Sequence, residues 1–409
     1  MDNSATYLLL NSTLTESNYD SSMSLNRLPE GNLDSLIEKS GINNVLILQW
    51  RDLEDVDAGG SEIHSHNIAE IWASKGLEIN FRTSAVSNSS KSISRSGYTS
   101  VRSGGRFGVF ITAPADVIRR RFGKFDALVE VWNGVPFMTP LLTTGPNMAF
   151  LHHQHGPLWD VALPVPLAGL GRFFERKIAP NFYRSTPIVT LSNSSSSELS
   201  SVLGLRKEII HVVEPGISSA FRFSSEKSDT PLVVLAGRLS PYKRTDRVIN
   251  ALKNVRSKVP NVKLEIIGEG PEEENIRNIV SSLEDGSWIS IKGRVTESDL
   301  VDAYQRAWLV SSASLSEGWG MTLTEAARCG TASVASNIPG HADAVSHGVS
   351  GYLFDTDEEY EKSLITLLSS RSAALSLGES AHHWSSNFTW EKTATESFRV
   401  LASTEKNND

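Results

Sequence analysis

Short apolar runs alternate with helical patterns along most of this chain, and that alternation restricts it to folds built on parallel sheets. The series opens abruptly at Val45, Leu46, Ile47 and Leu48, a run with the length and branching of a strand buried on both faces. Residues 63–75 follow as a helix, with Ile63, Ile68, Ile71 and Trp72 on one broad face. Residues 78–82, 127–129, 149–151 and 188–191 are further strand signals, and 193–197 begins a Ser-rich helix. Residues 84–96 are polar and read as loop.

Regularity breaks at Glu214, Pro215 and Gly216, and a fresh series begins. It runs strand 232–236, helix 245–255, strand 263–267, helix 272–283, strand 288–291, helix 297–307, strand 308–310 and helix 321–329, and closes on strands 332–335 and 352–354. The pattern predicts an α/β protein of two doubly wound domains. The first domain is expected over 44–213, a linker over 214–229 and the second domain over 230–385. Residues 1–43 are rich in Ser and Asn without a sustained period and are expected as a flexible tail, with one short helix near 33–39.

A length of 409 residues fits about two to three domains. A net charge of −8 argues against a general nucleic-acid binder. The single cysteine, Cys329, excludes an internal disulfide and fits a reducing, cytoplasmic setting. No run approaches the ~20 apolar residues that span a bilayer, and Leu8, Leu9 and Leu10 with polar flanks do not make a signal peptide.

In doubly wound sheets, ligands bind beyond the carboxyl ends of the strands, and the candidate motifs of this chain sit there. Gly59 and Gly60 follow the first strand and open the first helix, where bare backbone and a helix N-terminus suit a phosphate. The plainer reading is a tight loop capped by Ser61. Arg238 and Lys243 follow the first strand of the second half and can converge on a diphosphate. Glu317 and Glu325 lie eight residues apart around Gly318 and Gly320, at a strand-loop-helix junction. Carboxylates beside an anion site make sense as acceptors for sugar hydroxyls.

His152, His153 and His155 invite a metal reading, but neighbours on an extended chain point opposite ways and no Cys completes a tetrahedral set. No metal site is expected; one imidazole beside a reacting sugar is. Gly268, Glu269 and Gly270 lack the third glycine of a dinucleotide fingerprint and read as a structural turn. Asp55, Val56 and Asp57 read as loop chemistry. Arg119, Arg120 and Arg121 read as a solvated helix end, or as contact with an anionic acceptor or membrane surface.

As a set, these residues resemble the retaining glycosyltransferases of GT-B fold in family GT4 (glycosyltransferase group 1), over residues 44–400 or so. The span from Glu317 to Glu325 matches the family's E-x7-E motif, and Gly59, Gly60, Glu62, Arg238 and Lys243 match in the expected order. The resemblance implies two Rossmann-like domains facing across a cleft, with the acceptor on the first and the nucleotide sugar on the second. It also implies a final helix, 386–403, that crosses back to the first domain. Arg238 and Lys243 would hold the diphosphate and stabilise the leaving group, Glu317 would contact the donor sugar, and Glu325 would take the ribose hydroxyls. His152 stands where the family places a His beside the donor sugar, and the His152-His153 doublet leaves that register open by one. Gly318, Trp319, Gly320, Met321, Thr322 and Leu323 complete the donor loop, and Val295 borders the base.

The implied reaction moves a hexose from a donor of GDP-mannose or UDP-glucose type to a hydroxyl of a glycan, a lipid-linked glycan or a small molecule, with retention and no required metal. Front-face attack is expected, with the leaving phosphate as base. Peripheral contact with the inner face of the cytoplasmic membrane is a further expectation. A nucleotide-sugar epimerase on the same fold and a non-catalytic sugar-nucleotide module are the rival readings.

Overall fold

Val45, Leu46, Ile47 and Leu48 are fully buried, as a strand covered by helices on both faces must be. A computed structural model describes residues 29–156, 159 and 165–404 of the chain, and all that follows refers to those residues. The first domain runs α1 (Leu33–Ser40), β1 (Asn44–Leu48), α2 (Gly60–Ser74), β2 (Glu78–Thr83), β3 (Ser92–Arg95), β4 (Tyr98–Arg102) and α3 (Val109–Ile118). It continues with β5 (Ala127–Val131), β6 (Asn147–Phe150), α4 (Val165–Phe173), β7 (Ile188–Thr190), α5 (Asn193–Leu203) and β8 (Ile210–Val212). Its sheet has the order β3-β4-β2-β1-β5-β6-β7-β8, parallel except for the edge strand β3.

The second domain runs β9 (Leu232–Ala236), α6 (Thr245–Val255), β10 (Lys263–Ile267), α7 (Glu273–Ser281), β11 (Ile289–Gly293), α8 (Glu297–Arg306), β12 (Leu309–Ser312) and α9 (Met321–Arg328). After these come β13 (Ala332–Ser336), α10 (His341–Ala344), β14 (Gly351–Phe354), α11 (Asp357–Leu368), α12 (Arg371–Ser385) and α13 (Trp390–Ala402). This sheet is parallel throughout, in the order β11-β10-β9-β12-β13-β14. In each sheet the order reverses beside the first strand, next to β1 and next to β9. The loops after those strands part to opposite faces and leave a crevice at the carboxyl ends.

Three expectations change. The short helix expected near 33–39 is α1, but it is not part of a flexible tail: Leu33 and Leu36 are buried in the first domain's core with Trp72 and Phe398. The part of the tail at 1–28 lies outside the described residues. The loop expected over 84–96 contains β3, which pairs antiparallel with β4. The hairpin is held from outside its own sequence, because Asp52 accepts from Arg95 at 2.7 Å and from Arg102 at 2.6 Å. The stretch expected as linker is partly core, since Ile217 and Phe221 are buried in the second domain.

Two chain segments cross between the domains side by side. Ile217 bridges Thr389, and a Cβ on Gly216 would fall 2.2 Å from the Trp390 nitrogen, so the residue at 216 must be glycine for the strands to pass. Beyond that point α13 lies on the first domain. Trp72 Nε1 donates to the Ala394 carbonyl at 2.9 Å, and Ala394, Phe398 and Leu401 are buried in that core.

Candidate active site

The two crevices face each other, and Gly60 and Gly318 lie where they approach. A Cβ on Gly60 would lie 3.5 Å from Met321 Sδ, which brings the N-terminus of α2 against that of α9. Gly59 N–H donates to Glu62 Oε2 at 2.8 Å and closes the first turn of α2, so Gly59 is the cap and not Ser61. Ser61 Oγ accepts from Asn133 Nδ2 at 3.0 Å, linking the first turn of α2 to the loop after β5.

Across the cleft, the loop after β9 carries Arg238 and Lys243, and the loop after β12 carries Glu317. Lys243 Nζ donates to Glu317 Oε1 at 2.5 Å, and Ser314 Oγ donates to the same oxygen at 2.8 Å. Burial works against the Glu317 carboxylate, but Lys243, His341 and these hydrogen bonds outweigh it and hold its pKa below the usual range. Burial likewise works against the Lys243 ammonium, and Glu317 and Tyr242 overcome it, so its pKa is raised. The pair is therefore a stable zwitterion in a largely enclosed site.

Arg238 turns to the other domain. Its Nη2 donates to Asp57 Oδ1 at 2.6 Å, and Asp57 Oδ2 accepts from Arg106 Nη2 at 2.6 Å. Asp57, expected only as loop chemistry, is thus a cross-cleft partner of Arg238. The Gly268–Gly270 turn supports this region from behind: a Cβ at Gly268 would strike the Gly237 carbonyl at 1.9 Å, and one at Gly270 the Leu239 carbonyl at 2.2 Å. Those glycines serve backbone packing.

The donor loop divides its residues between cleft and core. Trp319 is buried and meets Phe388 edge-on at 5.3 Å, and Leu323 is buried in the same core. Their side chains face the core, so what these two residues can offer a donor is backbone. Met321, Thr322 and Val295 are half-buried; Met321 and Val295 pack against the second domain's core, and Met321 also reaches Gly60. Gly320 has φ 114° and a Cβ there would meet His341 Cδ2 at 2.9 Å, so only glycine fits this turn into α9. Glu325 is pushed up to about 7, by burial first and then by the charge of Glu297, with Tyr304 pulling the other way.

The histidine register resolves by alternation along the extended chain. His152 points inward, where its Nε2 meets His64 Nδ1 at 3.2 Å, and burial holds its pKa well below normal. His153 points to the cleft: a Cβ on Gly318 would lie 3.6 Å from its Nδ1, and the charge of Glu317 acts on it. Within the one-residue register that the sequence left open, His153 is the imidazole beside Gly318 and His152 the one against His64. His155 stacks near His153 at 6.1 Å between centroids. Among the described residues no group of three or more His, Cys, Asp and Glu is arranged to hold a metal ion.

Sequence reasoning missed the contacts that α5 makes with the second domain. Ser192 and Ser195 hydroxyls donate to the Gly318 carbonyl at 3.3 Å each, and Gly340 N–H donates to Ser194 Oγ at 2.9 Å. The only local signal was a Ser-rich helix start, which caps a helix equally well without a partner. The basic cluster at 119–121 is split: Arg121 pairs with Asp116 at 2.8 Å, while Ile111 and Ile118 beside it are exposed.

Residues 218–387 match the family described as Glycosyl transferases group 1. A D-inositol 3-phosphate glycosyltransferase of Rhodococcus jostii (strain RHA1) is 31% identical over 181 residues, 41% of this chain and 40% of that protein. A GDP-mannose-dependent alpha-(1-6)-phosphatidylinositol monomannoside mannosyltransferase of Mycolicibacterium smegmatis is 26% identical over 326 residues, 72% of this chain and 82% of that protein. The chain thus spans about two fifths of the length of the Rhodococcus relatives it matches. Among solved structures, sucrose-phosphate synthase from Thermosynechococcus elongatus superposes with TM-score 0.72 at 17% identity, over 87% of this chain and 97% of that one. WaaG, a glycosyltransferase involved in lipopolysaccharide biosynthesis, superposes with TM-score 0.70 at 16% identity, over 87% and 99%. The two parallel-sheet domains share the GT-B fold of these neighbours, and residues 218–387 are similar to the glycosyl transferases group 1 family.

Proposed function

We propose that this protein is a retaining glycosyltransferase that moves a hexose from a nucleotide diphosphate sugar to a hydroxyl acceptor held by the first domain. The observation that carries the reading is the Lys243–Glu317 pair at 2.5 Å, set beside the N-terminus of α9 and facing the N-terminus of α2. A diphosphate placed there meets the half-buried Lys243 ammonium, the Arg238 guanidinium and two helix N-termini. All of these stabilise the charge that grows as the sugar bond breaks. These cations supply the role often given to a divalent ion, so transfer is expected to persist in EDTA.

Glu317 already accepts from Lys243 and Ser314, which makes it a poor nucleophile. The acceptor hydroxyl therefore attacks from the face the diphosphate leaves, with the leaving phosphate taking its proton. His153, beside Gly318 and within the field of Glu317, is expected next to the donor sugar. Closure of the cleft excludes water from the oxocarbenium-like state.

A donor of GDP-mannose or UDP-glucose type is supported by the Mycolicibacterium relative, named for GDP-mannose, and by a structural neighbour solved with UDP and glucose. The acceptor reading covers glycans, lipid-linked glycans and small hydroxyl compounds, with the protein at the cytoplasmic side of a membrane and in peripheral contact with it. Thermal-shift screening of nucleotide sugars, followed by acceptor-dependent release of UDP or GDP, tests the reading. Interconversion of the donor sugar without an acceptor would establish an epimerase instead, and NMR of the product anomer tests retention.

A further inference from the structure

Five large apolar side chains within residues 167–184 stand out in water: Leu167 at 51%, Leu170 at 62%, Phe173 at 56%, Ile178 at 36% and Phe182 at 41% exposure. The first three are spaced by three along α4 and form one stripe. A helix packed in a globular protein turns such a stripe inward; here it faces out.

Cations are interleaved with the stripe and continue beyond it. Arg176, Lys177, Arg184 and Arg206 line an open cavity of about 760 Å³. The hydrogen bonds of Arg176, Arg184 and Arg206 go to the amide oxygens of Gln154 and Asn181 and to the Arg184 carbonyl, all neutral acceptors that leave the charge in place. Glu175 is the one carboxylate in the 165–184 sequence, and it is buried, accepting from His155 N–H at 2.7 Å and Trp159 Nε1 at 2.8 Å. In a chain of net charge −8, this face is basic and apolar together.

We propose that this face docks on an anionic lipid bilayer. Leu167, Leu170 and Phe173 enter the boundary below the headgroups, and Arg176, Lys177, Arg184 and Arg206 meet the lipid phosphates. A second copy of the chain fits less well, because a two-fold contact would set these cations against their own copies. The inference rests on the membrane part of the reading above and is independent of the donor chemistry.

The test sediments the full-length chain with vesicles of phosphatidylcholine alone, or with a third of the lipid replaced by phosphatidylglycerol. Binding is expected only to the anionic vesicles, and to weaken at about 1 M salt. Leu170→Ser with Phe173→Ser lowers the partition about tenfold or more. Arg176→Gln with Lys177→Gln lowers it roughly thirtyfold. Both variants keep wild-type melting and wild-type binding of UDP or GDP, so a failure here is distinct from a failure of the donor site. Arg119→Gln with Arg120→Gln binds vesicles as the wild type does.

Four results overturn the proposal: no vesicle binding by the wild type, equal binding to neutral vesicles, unchanged binding by both 170–177 variants, or loss of binding only in the 119–120 variant. A concentration-dependent dimer that Leu170→Ser with Phe173→Ser abolishes, without vesicle binding, would make the face a self-interface and likewise overturn it.

Discussion

Arg238 and Asp57 face one another across the cleft, Nη2 to Oδ1 at 2.6 Å, so a cation suited to a diphosphate is held by a carboxylate of the other domain. Asp57 is itself anchored by Arg106, and the backbone two and three residues on forms the Gly59-Gly60 loop. A donor entering the cleft must take Arg238 from Asp57. When the product leaves, Asp57 can take it back. On the proposed function, the carboxylate is expected to weaken nucleotide binding a little and to speed release.

Asp57→Asn is expected to tighten UDP or GDP binding and to strengthen product inhibition. Arg238 is 44% exposed, and such pairs contribute about 0–1 kcal/mol, so the gain is about fivefold at most. It should shrink as salt rises. Calorimetry at low and high salt measures it. Unchanged affinity at low salt would show that the pair does not compete with the ligand.

Lys243 lies at the base of the same site, and removing it should do more. Lys243→Ala leaves Glu317 enclosed with only Ser314 as partner and removes the cation from the leaving group. Loss of a preorganised donor of this kind costs roughly a hundred- to a thousandfold in kcat. Glu317→Gln keeps the shape but loses the ion pair, so Lys243 becomes a partly buried charge without its counter-ion. Steady-state kinetics with melting curves separate the two: the Ala variant should lose turnover beyond any loss of stability. Wild-type turnover in Lys243→Ala would end the proposed mechanism.

His152 and His153 should divide between stability and chemistry. His152→Ala empties a buried position against His64 and is expected to cost about 2 kcal/mol or more of stability. His153→Ala should leave melting nearly unchanged and lower kcat, since its ring faces Glu317 and Gly318. The reverse pattern would restore the other register.

Much of this arrangement was legible in the chain because its signals are local. Val45–Leu48 of β1 and Leu232–Ala236 of β9 are apolar throughout, as strands covered on both faces must be, and the loops after β9 and β12 carry their charged residues in the open. What was not legible depends on contacts distant in sequence. β3 has one apolar residue in four and is ordered by Asp52, which reaches across to Arg95 and Arg102. Asp57 gains its meaning from Arg238, far along the chain. The resemblance put Trp319 in the donor loop but could not show that its indole packs on Phe388, 69 residues along the chain.

Burial also sets an acid limit. His64, His66 and His155 are each pushed down to about 3 by burial, so they stay neutral in the folded chain at pH values where the unfolded chain protonates them. Folded-state values below the ordinary 6.5 give stability that is present above about 6.5 and lost as pH falls toward 3. Urea midpoints measured from pH 8 to pH 4 should fall steadily below pH 6.5. His66→Phe should flatten part of that fall, because a phenyl ring can stack on Phe81 as the imidazole does, at 4.1 Å, without a proton to bind.

Glu325 moves in the opposite sense and reports on the ligand. Its value of about 7 lies above the ordinary 4.5, so the folded chain keeps it protonated where the unfolded chain has lost the proton. Its stabilising contribution is therefore full below about 4.5 and is lost as pH rises through about 7. Nucleotide binding has the other sign. A carboxylate accepts from both ribose hydroxyls, while the protonated acid keeps one oxygen as a donor. UDP or GDP affinity is then expected to rise as pH passes from 6 to 8, and Glu325→Gln should flatten that rise while becoming more stable than the wild type toward pH 8. Calorimetric titration at several pH values with both proteins checks it, and a parallel rise in the Gln variant would remove Glu325 from the ribose site.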